Sequence, residues 1–262
     1  IYTRPYTLSL HDALPTCTGR RSGRWSWTSR PADTARCTTR KSRRCTRPPR
    51  WIVKDDMAEH YFTETPDSAH KPLRFQTAYR GHTLGMQTDS GVFSRTEIDK
   101  GSAALLAMLP DGITGEVLDM GCGYGAIGLC LKKHNPGCEL TMADINQRAA
   151  ALAKANAEAN GIDAQVLQGD GFATVPHRKF DLIVLNPPIR AGKHVVYQMF
   201  AGAAGALKET GAFMLVIRKQ QGAPSAMAEL GKLFRDVNIL SKKGGFWVIR
   251  CENSLNNTDR KE

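Results

Sequence analysis

Hydrophobic positions along most of the chain follow two patterns: short apolar runs typical of buried strands, and longer stretches with apolar residues at helical spacing. The short runs predict strands over residues 116–121, 139–145, 164–170, 180–186 and 212–219. The longer stretches predict helices over residues 97–110, 126–135, 146–160, 195–209 and 225–236. Because strands and helices alternate, we expect a parallel sheet with helices on both faces.

Two flanking segments have the pattern of antiparallel hairpins. Residues 74–94 alternate around two glycines and predict short antiparallel strands. Residues 237–252 predict a hairpin around Gly244-Gly245, which places an antiparallel strand at the sheet edge. The expected fold class is therefore α/β. We expect one domain over residues 57–253 and a frayed tail over residues 254–262.

A glycine-rich segment, LDMGCGYGAIGL over 118–129, lies where a predicted parallel strand meets its helix. Glycines let the backbone approach a ligand closely, and the helix N-terminus presents free N–H groups. GYGAIG fits the dinucleotide pattern G-x-G-x-x-G, which alone is a weak signal. The loop also has an acid, Asp119, two residues before Gly-x-Gly-x-Gly. A carboxylate there would repel a pyrophosphate and attract an ammonium group, which favours S-adenosylmethionine.

Two more aspartates end the next two predicted strands. Asp144 is placed to accept hydrogen bonds from ribose hydroxyls, and Asp170 could accept one from an adenine amino group. Ligands bind at the carboxyl ends of parallel strands. A single aspartate there could instead belong to a solvated turn or a helix cap. Three at successive strand ends beside a glycine loop indicate a nucleoside-bearing cofactor.

The predicted strand over 180–186 ends in Asn186-Pro187-Pro188, and two prolines cannot continue a sheet. A strand that simply stops at a turn is the alternative interpretation. A planar exocyclic amine is a poor nucleophile because its lone pair is delocalised. Acceptors at the Asn186 side-chain oxygen and the Pro187 carbonyl would hold its two N–H groups and orient the lone pair toward a methyl donor. Such chemistry requires neither a metal ion nor a nucleophilic cysteine.

Charge is distributed unevenly along the chain. The formal net charge is +11, but residues 1–56 hold 13 Lys and Arg against 4 Asp and Glu. Residues 57–262 hold 23 basic and 21 acidic residues. The net charge of the whole chain is therefore no sign that the domain binds nucleic acid.

The first 56 residues have neither a helical nor a strand period. YTLSLHDALP, residues 6–15, resembles the conceptual translation of a sequencing-library adapter, and the Arg-rich stretch behind it reads like GC-rich DNA in the wrong frame. We expect an assembly artefact followed by a true start at Met57; a genuine disordered basic tail is the alternative. No apolar region typical of a signal peptide and no run of about 18 apolar residues is present, so we expect no membrane span.

The chain has seven cysteines, without a CxxC pair or a Cys/His cluster at zinc spacing. This usage is typical of reduced thiols. We therefore expect a cytoplasmic protein without a bound metal.

Together, the motifs resemble those of bacterial class I S-adenosylmethionine-dependent methyltransferases of the small-domain group. That group includes the small-subunit rRNA guanine-N2 methyltransferases. The specific segments are TDSGVFSRTEIDKGS (88–102) and DLIVLNPPIRAGK (181–193), whereas the glycine loop alone identifies only the superfamily. MADIN, GDGF and KQQGAPSA also match. The resemblance covers residues 57–253. It implies a Rossmann-like, seven-stranded, mostly parallel sheet, in the order 3-2-1-4-5-7-6 counted from the strand at 116–121, with a C-terminal antiparallel hairpin.

Roles are expected for three sets of residues, of which the resemblance implies the first two. The cofactor, S-adenosylmethionine, is expected to contact Asp119, Gly121, Gly123, Gly125, Asp144, Ile145, Asp170 and Gly171. The expected catalytic segment is Asn186, Pro187 and Pro188. Substrate contacts are expected from Phe93, Ile189, Arg190 and Lys193. Arg190 and Lys193 are basic groups near the site that we expect to touch phosphate, with ordinary solvated charges as the alternative. Many relatives have an aromatic residue where this chain has Ile189, so we expect base stacking from Phe93 instead, or weaker stacking.

The expected reaction is methylation of an exocyclic amine, guanine N2 in small-subunit rRNA, with rRNA as the partner. Longer relatives carry a second domain for RNA docking, and none is recognised here, which leaves the exact RNA open. Methylation of a protein glutamine amide or of adenine N6 is the alternative. The first usually comes with NPPY and a helical substrate domain, for which residues 57–96 are too short and strand-like. A nicotinamide oxidoreductase would leave Asn186-Pro187-Pro188 unexplained, and a non-enzymatic cofactor-binding module would leave the intact Asn186 unexplained.

Overall fold

A computed structural model describes Glu64 and residues 69–255. The expectations for residues 1–56, for Met57 and for residues 256–262 lie outside the described residues. The described residues all fall within one unit, residues 54–262. None of their helices is long and apolar enough to cross a membrane.

The described residues form nine strands and five α-helices. The strands are β1 (Leu73–Tyr79), β2 (His82–Thr88), β3 (Gly115–Met120), β4 (Cys138–Asp144), β5 (Gln165–Gln168), β6 (Phe180–Leu185), β7 (Leu207–Arg218), β8 (Phe234–Ser241) and β9 (Phe246–Ser254). The α-helices are α1 (Lys100–Leu106), α2 (Ala126–His134), α3 (Gln147–Ala159), α4 (Lys193–Ala206) and α5 (Ala223–Leu230). Short 3₁₀ turns follow β5, β6, β7 and β8.

Seven strands form one sheet in the order β5-β4-β3-β6-β7-β9-β8. The neighbours from β5 to β7 pair in parallel, and β9 is antiparallel to both β7 and β8. Counted from β3, this is the order 3-2-1-4-5-7-6, so the predicted α/β fold with its C-terminal hairpin is confirmed. The strand order reverses at β3 and β6. A crevice for a ligand is expected at the carboxyl ends of the strands there.

Apolar side chains cover both faces of this sheet, which explains why its central strands are apolar without alternation. One face packs against α1, α2 and α3. The other packs against α4 and α5 through a row of aromatic rings. The Phe213 ring lies 6.1 Å from Phe200 and 5.9 Å from Phe234 between ring centroids. Burial on both sides holds the strand ends, and therefore the loops that follow them, in place.

The helix predicted over residues 225–236 is shorter in the structure, so this prediction was wrong at its C-terminal end. α5 ends at Leu230 with Gly231 as its C-cap, and Phe234 already begins β8. Leu233 and Phe234 are both buried. Their apolar character continues the helical pattern in the sequence. In the structure, however, Phe234 belongs to β8 and Leu233 directly precedes it. Apolar spacing alone cannot separate these two cases over a few residues.

Asn156 of α3 and Asn160, the C-cap of that helix, hold the β1–β2 hairpin against the domain. Asn156 accepts a hydrogen bond from the Gln87 N–H (2.7 Å) and donates one to its carbonyl (2.9 Å). Asn160 pairs with the N–H (3.0 Å) and the carbonyl (2.8 Å) of Gly85 in the same way. The two side chains therefore satisfy the β2 edge as a neighbouring strand would. Asn156 also donates to the Tyr124 carbonyl (2.9 Å), so the hairpin and the glycine loop share one anchor.

Asn156→Ala is expected to lower the free energy of unfolding by about 3 kcal/mol. The substitution removes three hydrogen bonds at a buried residue and leaves backbone groups of Gln87 and Tyr124 without a partner. Asn160 is more exposed, so Asn160→Ala is expected to lower it by about 1 kcal/mol. Urea denaturation measures both values. An unchanged midpoint for Asn156→Ala would contradict the anchoring role.

Candidate active site

A cavity of about 380 Å³ opens at the carboxyl ends of β3, β4 and β6. Its volume lies in the range of about 300–1,000 Å³ that small-molecule sites occupy. Ten of the residues predicted for the site line it: Phe93, Gly121, Gly123, Asp144, Ile145, Asp170, Gly171, Asn186, Pro187 and Pro188. Five do not: Asp119, Gly125, Ile189, Arg190 and Lys193.

The glycine loop connects β3 to α2 through backbone conformations that favour glycine. Gly121, Gly123 and Gly125 have φ values of 68°, 58° and 92°. Gly125 lies under the loop, where an added Cβ would come within 2.9 Å of the Leu129 side chain. Gly125 therefore allows the start of α2 to pack closely. Gly121 and Gly123 leave the cavity wall without side chains, so a ligand can approach the backbone.

Asp144 closes the cavity floor at the end of β4. Its Oδ2 accepts a hydrogen bond from the Gly123 N–H (2.8 Å), and its Oδ1 accepts one from the Asn146 N–H (2.8 Å). Burial raises the pKa of this carboxyl group above its usual value. Each oxygen can accept more than one hydrogen bond, so Asp144 can also receive ligand hydroxyls. Asp170 is exposed and lines the cavity at the end of the following strand.

Asp119 is turned away from the cavity. Its side chain is buried, and its Oδ2 accepts a hydrogen bond from the Gly128 N–H (2.8 Å) in the first turn of α2. Its Oδ1 is buried without a hydrogen-bond partner in the described part of the chain. The pKa of Asp119 is raised to about 7, mainly by burial of its carboxyl group. The hydrogen bond from Gly128 acts in the opposite direction but is the smaller effect. Contact between Asp119 and a cofactor stays a prediction.

Asp119 is expected to make the ligand-free protein less stable as the pH rises. A carboxyl group whose pKa is raised by folding contributes stability below its unfolded pKa, about 3.9, and loses it as the pH rises through about 7. Relative to Asp119→Asn, the wild-type free energy of unfolding should fall by on the order of 2 kcal/mol from pH 5 to pH 8. Chemical denaturation across this range measures it, with Asp163→Asn at an exposed site as the control. Parallel curves for wild type and Asp119→Asn would overturn this expectation.

Asn186 follows β6, and its side-chain amide is held from one side. Nδ2 donates to Ser102 Oγ (3.0 Å) and to Asp99 Oδ2 (3.4 Å). Because a carboxylate only accepts hydrogen bonds, Asp99 determines which end of the amide carries the NH₂ group. The other end, Oδ1, makes no hydrogen bond within residues 69–255. A ligand that donates hydrogen bonds can therefore bind to it.

Asp99 and Ser102 are functional candidates that the sequence analysis missed. Asp99 is the N-cap of α1, and its Oδ1 accepts from the N–H groups of Gly101 (2.8 Å) and Ser102 (3.2 Å). An acid before an apolar helical pattern is a recognisable cap signal. Its contact with Asn186, 87 positions along the chain, is visible only in the folded structure.

The remaining predicted substrate residues lie beside the cavity. Phe93 is 41% exposed at its rim, which is compatible with stacking on a bound base. Ile189 and Lys193 line a separate small pocket at the start of α4. Arg190 and Lys193 are exposed to solvent, so phosphate contacts by these two residues stay a prediction.

The charges of the lining favour a cationic ligand without phosphate. Three aspartates, Asp99, Asp144 and Asp170, contribute to the cavity wall, and none of its lining residues is Lys, Arg or His. S-adenosylmethionine carries an ammonium group, a sulfonium and ribose hydroxyls. Gly121 and Gly123 line the cavity without side chains, so such a ligand can approach the backbone there.

The described residues contain no group of three or more His, Cys, Asp or Glu that could hold a metal ion. Cys122 lines the cavity, but burial raises the pKa of its thiol well above the usual value. A protonated thiol is a weak nucleophile. The polar side chains that line the cavity include several hydrogen-bond acceptors, from Asp99, Asp144, Asp170 and Asn186.

The strand order, the glycine loop after β3, the acid at the end of β4 and the Asn-Pro-Pro segment after β6 define a class I S-adenosylmethionine-dependent methyltransferase. The chain belongs to the methyltransferase small domain family, whose model matches residues 83–250. The resemblance stated from the sequence is thereby confirmed. Family membership also decides against the dinucleotide interpretation of the glycine loop.

Similar proteins include one from Bacillus subtilis (strain 168), the uncharacterized protein YbxB. It is 40% identical over 199 residues, which cover 75% of this chain and 99% of that protein. Ribosomal RNA small subunit methyltransferase C of Haemophilus influenzae (strain KW20) is 31% identical over 229 residues, 83% of this chain and 68% of that protein. Among solved structures, the T. thermophilus 16S rRNA N2 G1207 methyltransferase (RsmC), in complex with AdoMet and guanosine, matches with a TM-score of 0.63 and 28% identity. The match covers 70% of this chain and 50% of that one, so the chain spans half of that protein.

Proposed function

We propose that this protein transfers a methyl group from S-adenosylmethionine to an exocyclic amine in rRNA, with guanine N2 as the target atom. The Asn186 amide is the observation that carries the proposal. Its NH₂ group is held by Asp99 and Ser102, its oxygen makes no hydrogen bond within residues 69–255, and Asn186 lines the cavity. The similarity to the H. influenzae rRNA methyltransferase and to the T. thermophilus complex with guanosine supports the choice of substrate.

The residues of the site orient the amine. When bound, S-adenosylmethionine would supply an electrophilic methyl group from its sulfonium and leave as a neutral thioether. The amine would gain the methyl group and lose one of its two protons to solvent. Asn186 Oδ1 accepts one N–H of the exocyclic amine, and the Pro187 carbonyl accepts the other. The rings of Pro187 and Pro188 limit backbone rotation, so the two acceptors keep a constant separation. Orientation of this kind lowers the barrier by replacing random encounters with one reactive arrangement.

Asp144 and Asp170 bind the nucleoside part of the cofactor in this proposal. Asp144 receives the ribose hydroxyls while its hydrogen bonds to Gly123 and Asn146 keep its carboxylate oriented. Asp170, exposed at the cavity wall, receives the adenine amino group. The methyltransferase domain spans residues 57–253 in this proposal, which the family match over 83–250 supports.

Label transfer tests the class of substrate. The full chain is incubated with tritiated S-adenosylmethionine and undermethylated small-subunit rRNA, either naked or assembled into particles. DNA and ribosomal protein are offered in parallel. Label in rRNA alone is the expected result. Label in ribosomal protein would favour glutamine methylation, label in DNA would favour adenine N6, and either outcome would contradict the proposal.

Ser102→Ala is expected to lower kcat for methyl transfer by about 10-fold and to leave the Kd for S-adenosylmethionine within about 2-fold. The substitution removes one of two hydrogen bonds that orient the Asn186 amide, a loss of about 1 kcal/mol or slightly more. Asp99 still caps α1, so folding is retained. Ser225→Ala, whose hydroxyl donates to the Gly222 carbonyl, is the matched control. Equal kcat values for Ser102→Ala and the control would exclude the positioning role.

A further inference from the structure

Six exposed basic residues lie after β6, at or just after the end of β7, and before β9, along the carboxyl edge of the sheet. They are Arg190, Lys193, Arg218, Lys219, Lys242 and Lys243. The six residues together are called the basic edge below. Its members come from three separate segments of the chain, so only the fold brings them to one side of the sheet.

Contacts join the three segments into one surface. Lys193 lines a small pocket together with Gln221 and Gly222, so the start of α4 lies against the segment that follows Lys219. Arg218 pairs with Phe246 between β7 and β9, and its guanidinium lies 5.7 Å from the centre of the Phe246 ring.

The β8–β9 turn carries the other two lysines. Lys242 Nζ lies 4.7 Å from the centre of the Trp247 ring. The attraction between a cation and an aromatic face limits the motion of a long basic side chain. Arg218 and Lys242 are therefore held in place without a carboxylate partner.

Phe246 connects this surface to the catalytic segment. An added Cβ on Gly101 would lie 3.2 Å from the Phe246 ring, so the ring packs directly against the start of α1. The next residue, Ser102, bonds to Asn186. The Arg218 guanidinium is therefore separated from the Asn186 side of the cavity by one aromatic ring and one helical turn.

The basic edge lies in segments of the chain that are free of acidic residues. Residues 182–208, 210–228 and 237–251 contain no Asp or Glu. None of the six residues forms an ion pair within the described part of the chain. Five basic residues elsewhere in the domain are paired with carboxylates: Arg80, Arg178, Lys208, Lys232 and Arg250. A concentration of unpaired charge in a nearly neutral domain indicates a polyanionic partner.

We infer that the basic edge is the surface on which the phosphate backbone of the substrate RNA docks, an inference that rests on the proposed function. A base can enter the cavity only if its own backbone crosses the rim, and the basic edge begins at that rim with Arg190. The adjoining phosphates then pass over Arg218 and Lys219 toward Lys242 and Lys243. Contacts of this kind set position and affinity, whereas the base pocket sets the target atom.

Charge reversal at the far end of the basic edge tests the inference. The double variant Lys242→Glu/Lys243→Glu lies in an exposed turn, away from the cavity lining. KM and Kd for rRNA are expected to rise at least about 10-fold, with a smaller change in kcat. Each lost phosphate contact should reduce the slope of log K against log salt by about 0.7–0.9. Lys154→Glu, exposed on α3, is the matched control and should leave these values unchanged.

The outcomes separate this inference from the proposed function. Suppose that the wild-type chain methylates rRNA and that the double variant has the wild-type Kd for rRNA and the wild-type salt slope. This result would overturn the docking role of the basic edge and leave the proposed function intact. A wild-type chain that methylates protein instead of rRNA would overturn both. The Kd for S-adenosylmethionine, measured on every variant, shows whether the fold and the cofactor site are retained. Weaker rRNA binding with unchanged cofactor binding is the expected result.

Discussion

Asn186→Ala is expected to lower kcat for methyl transfer by at least about 100-fold, while the Kd for S-adenosylmethionine stays within about 2-fold. The substitution removes the acceptor that orients the amine, and misplacement of reacting atoms by about 1 Å can reduce a rate by that factor. The Ser102 hydroxyl and the Asp99 carboxylate then lose their partner. Single-turnover kinetics at saturating RNA measures the chemical step directly.

Asn238→Ala, at an exposed position of β8, is the control for this variant and should behave as wild type. Circular dichroism and cofactor titration show whether Asn186→Ala folds. A folded Asn186→Ala that binds S-adenosylmethionine and retains more than about a tenth of the wild-type kcat would contradict the role assigned to the amide.

Asp144→Asn is expected to weaken S-adenosylmethionine binding by about 10- to 100-fold. Both carboxylate oxygens already accept backbone N–H groups, from Gly123 and Asn146. In Asp144→Asn, an NH₂ group replaces one carboxylate oxygen. This donor then faces the backbone N–H of Gly123 or of Asn146, which is also a donor. Hydrogen bonds to a charged acceptor contribute about 1.5–3 kcal/mol each, and about 1.4 kcal/mol corresponds to a factor of ten in Kd.

Isothermal titration of the cofactor measures this effect, with Asp163→Asn at an exposed position as the matched control. The loss should appear in Kd and KM for the cofactor more than in kcat. Cofactor affinity equal to wild type in Asp144→Asn would show that the end of β4 does not hold the ligand.

Much of the fold follows from the sequence because the strands of the central sheet are buried on both faces. Their apolar runs and the glycine loop predict the order of strands and helices, and the resemblance to a family supplies their arrangement in the sheet. Helix ends are harder to predict. Leu233 and Phe234 continue the apolar pattern of α5, although Gly231 already ends the helix.

The candidate site was predicted where residues follow strand ends. Asp144, Asp170 and Asn186 line one cavity because the parallel strands β4, β5 and β6 end at the same edge of the sheet. Asp119 follows the same rule by position, but its side chain points toward Gly128 and not into the cavity. Side chains on a strand alternate between faces, so a shift of one residue decides which side an acid reaches.

Contacts between distant segments could not be predicted from one sequence. The hydrogen bonds of Asp99 and Ser102 to Asn186 join helix α1 to the end of β6. Those of Asn156 to Gln87 join α3 to the hairpin. Both depend on how separate elements pack. The sequence signals a helix cap at Asp99 and a polar residue within a helix at Asn156, without showing the partner of either.

Nucleoside analysis of labelled RNA tests the central claim most directly. Small-subunit rRNA methylated by the wild-type chain with tritiated S-adenosylmethionine is digested to nucleosides and separated by chromatography, beside RNA treated with Asn186→Ala. Label that migrates with N2-methylguanosine, and that is absent from the Asn186→Ala reaction, is the predicted result. Label in a base methylated on carbon or on a ring nitrogen, or label retained by Asn186→Ala, would contradict methylation of an exocyclic amine oriented by Asn186.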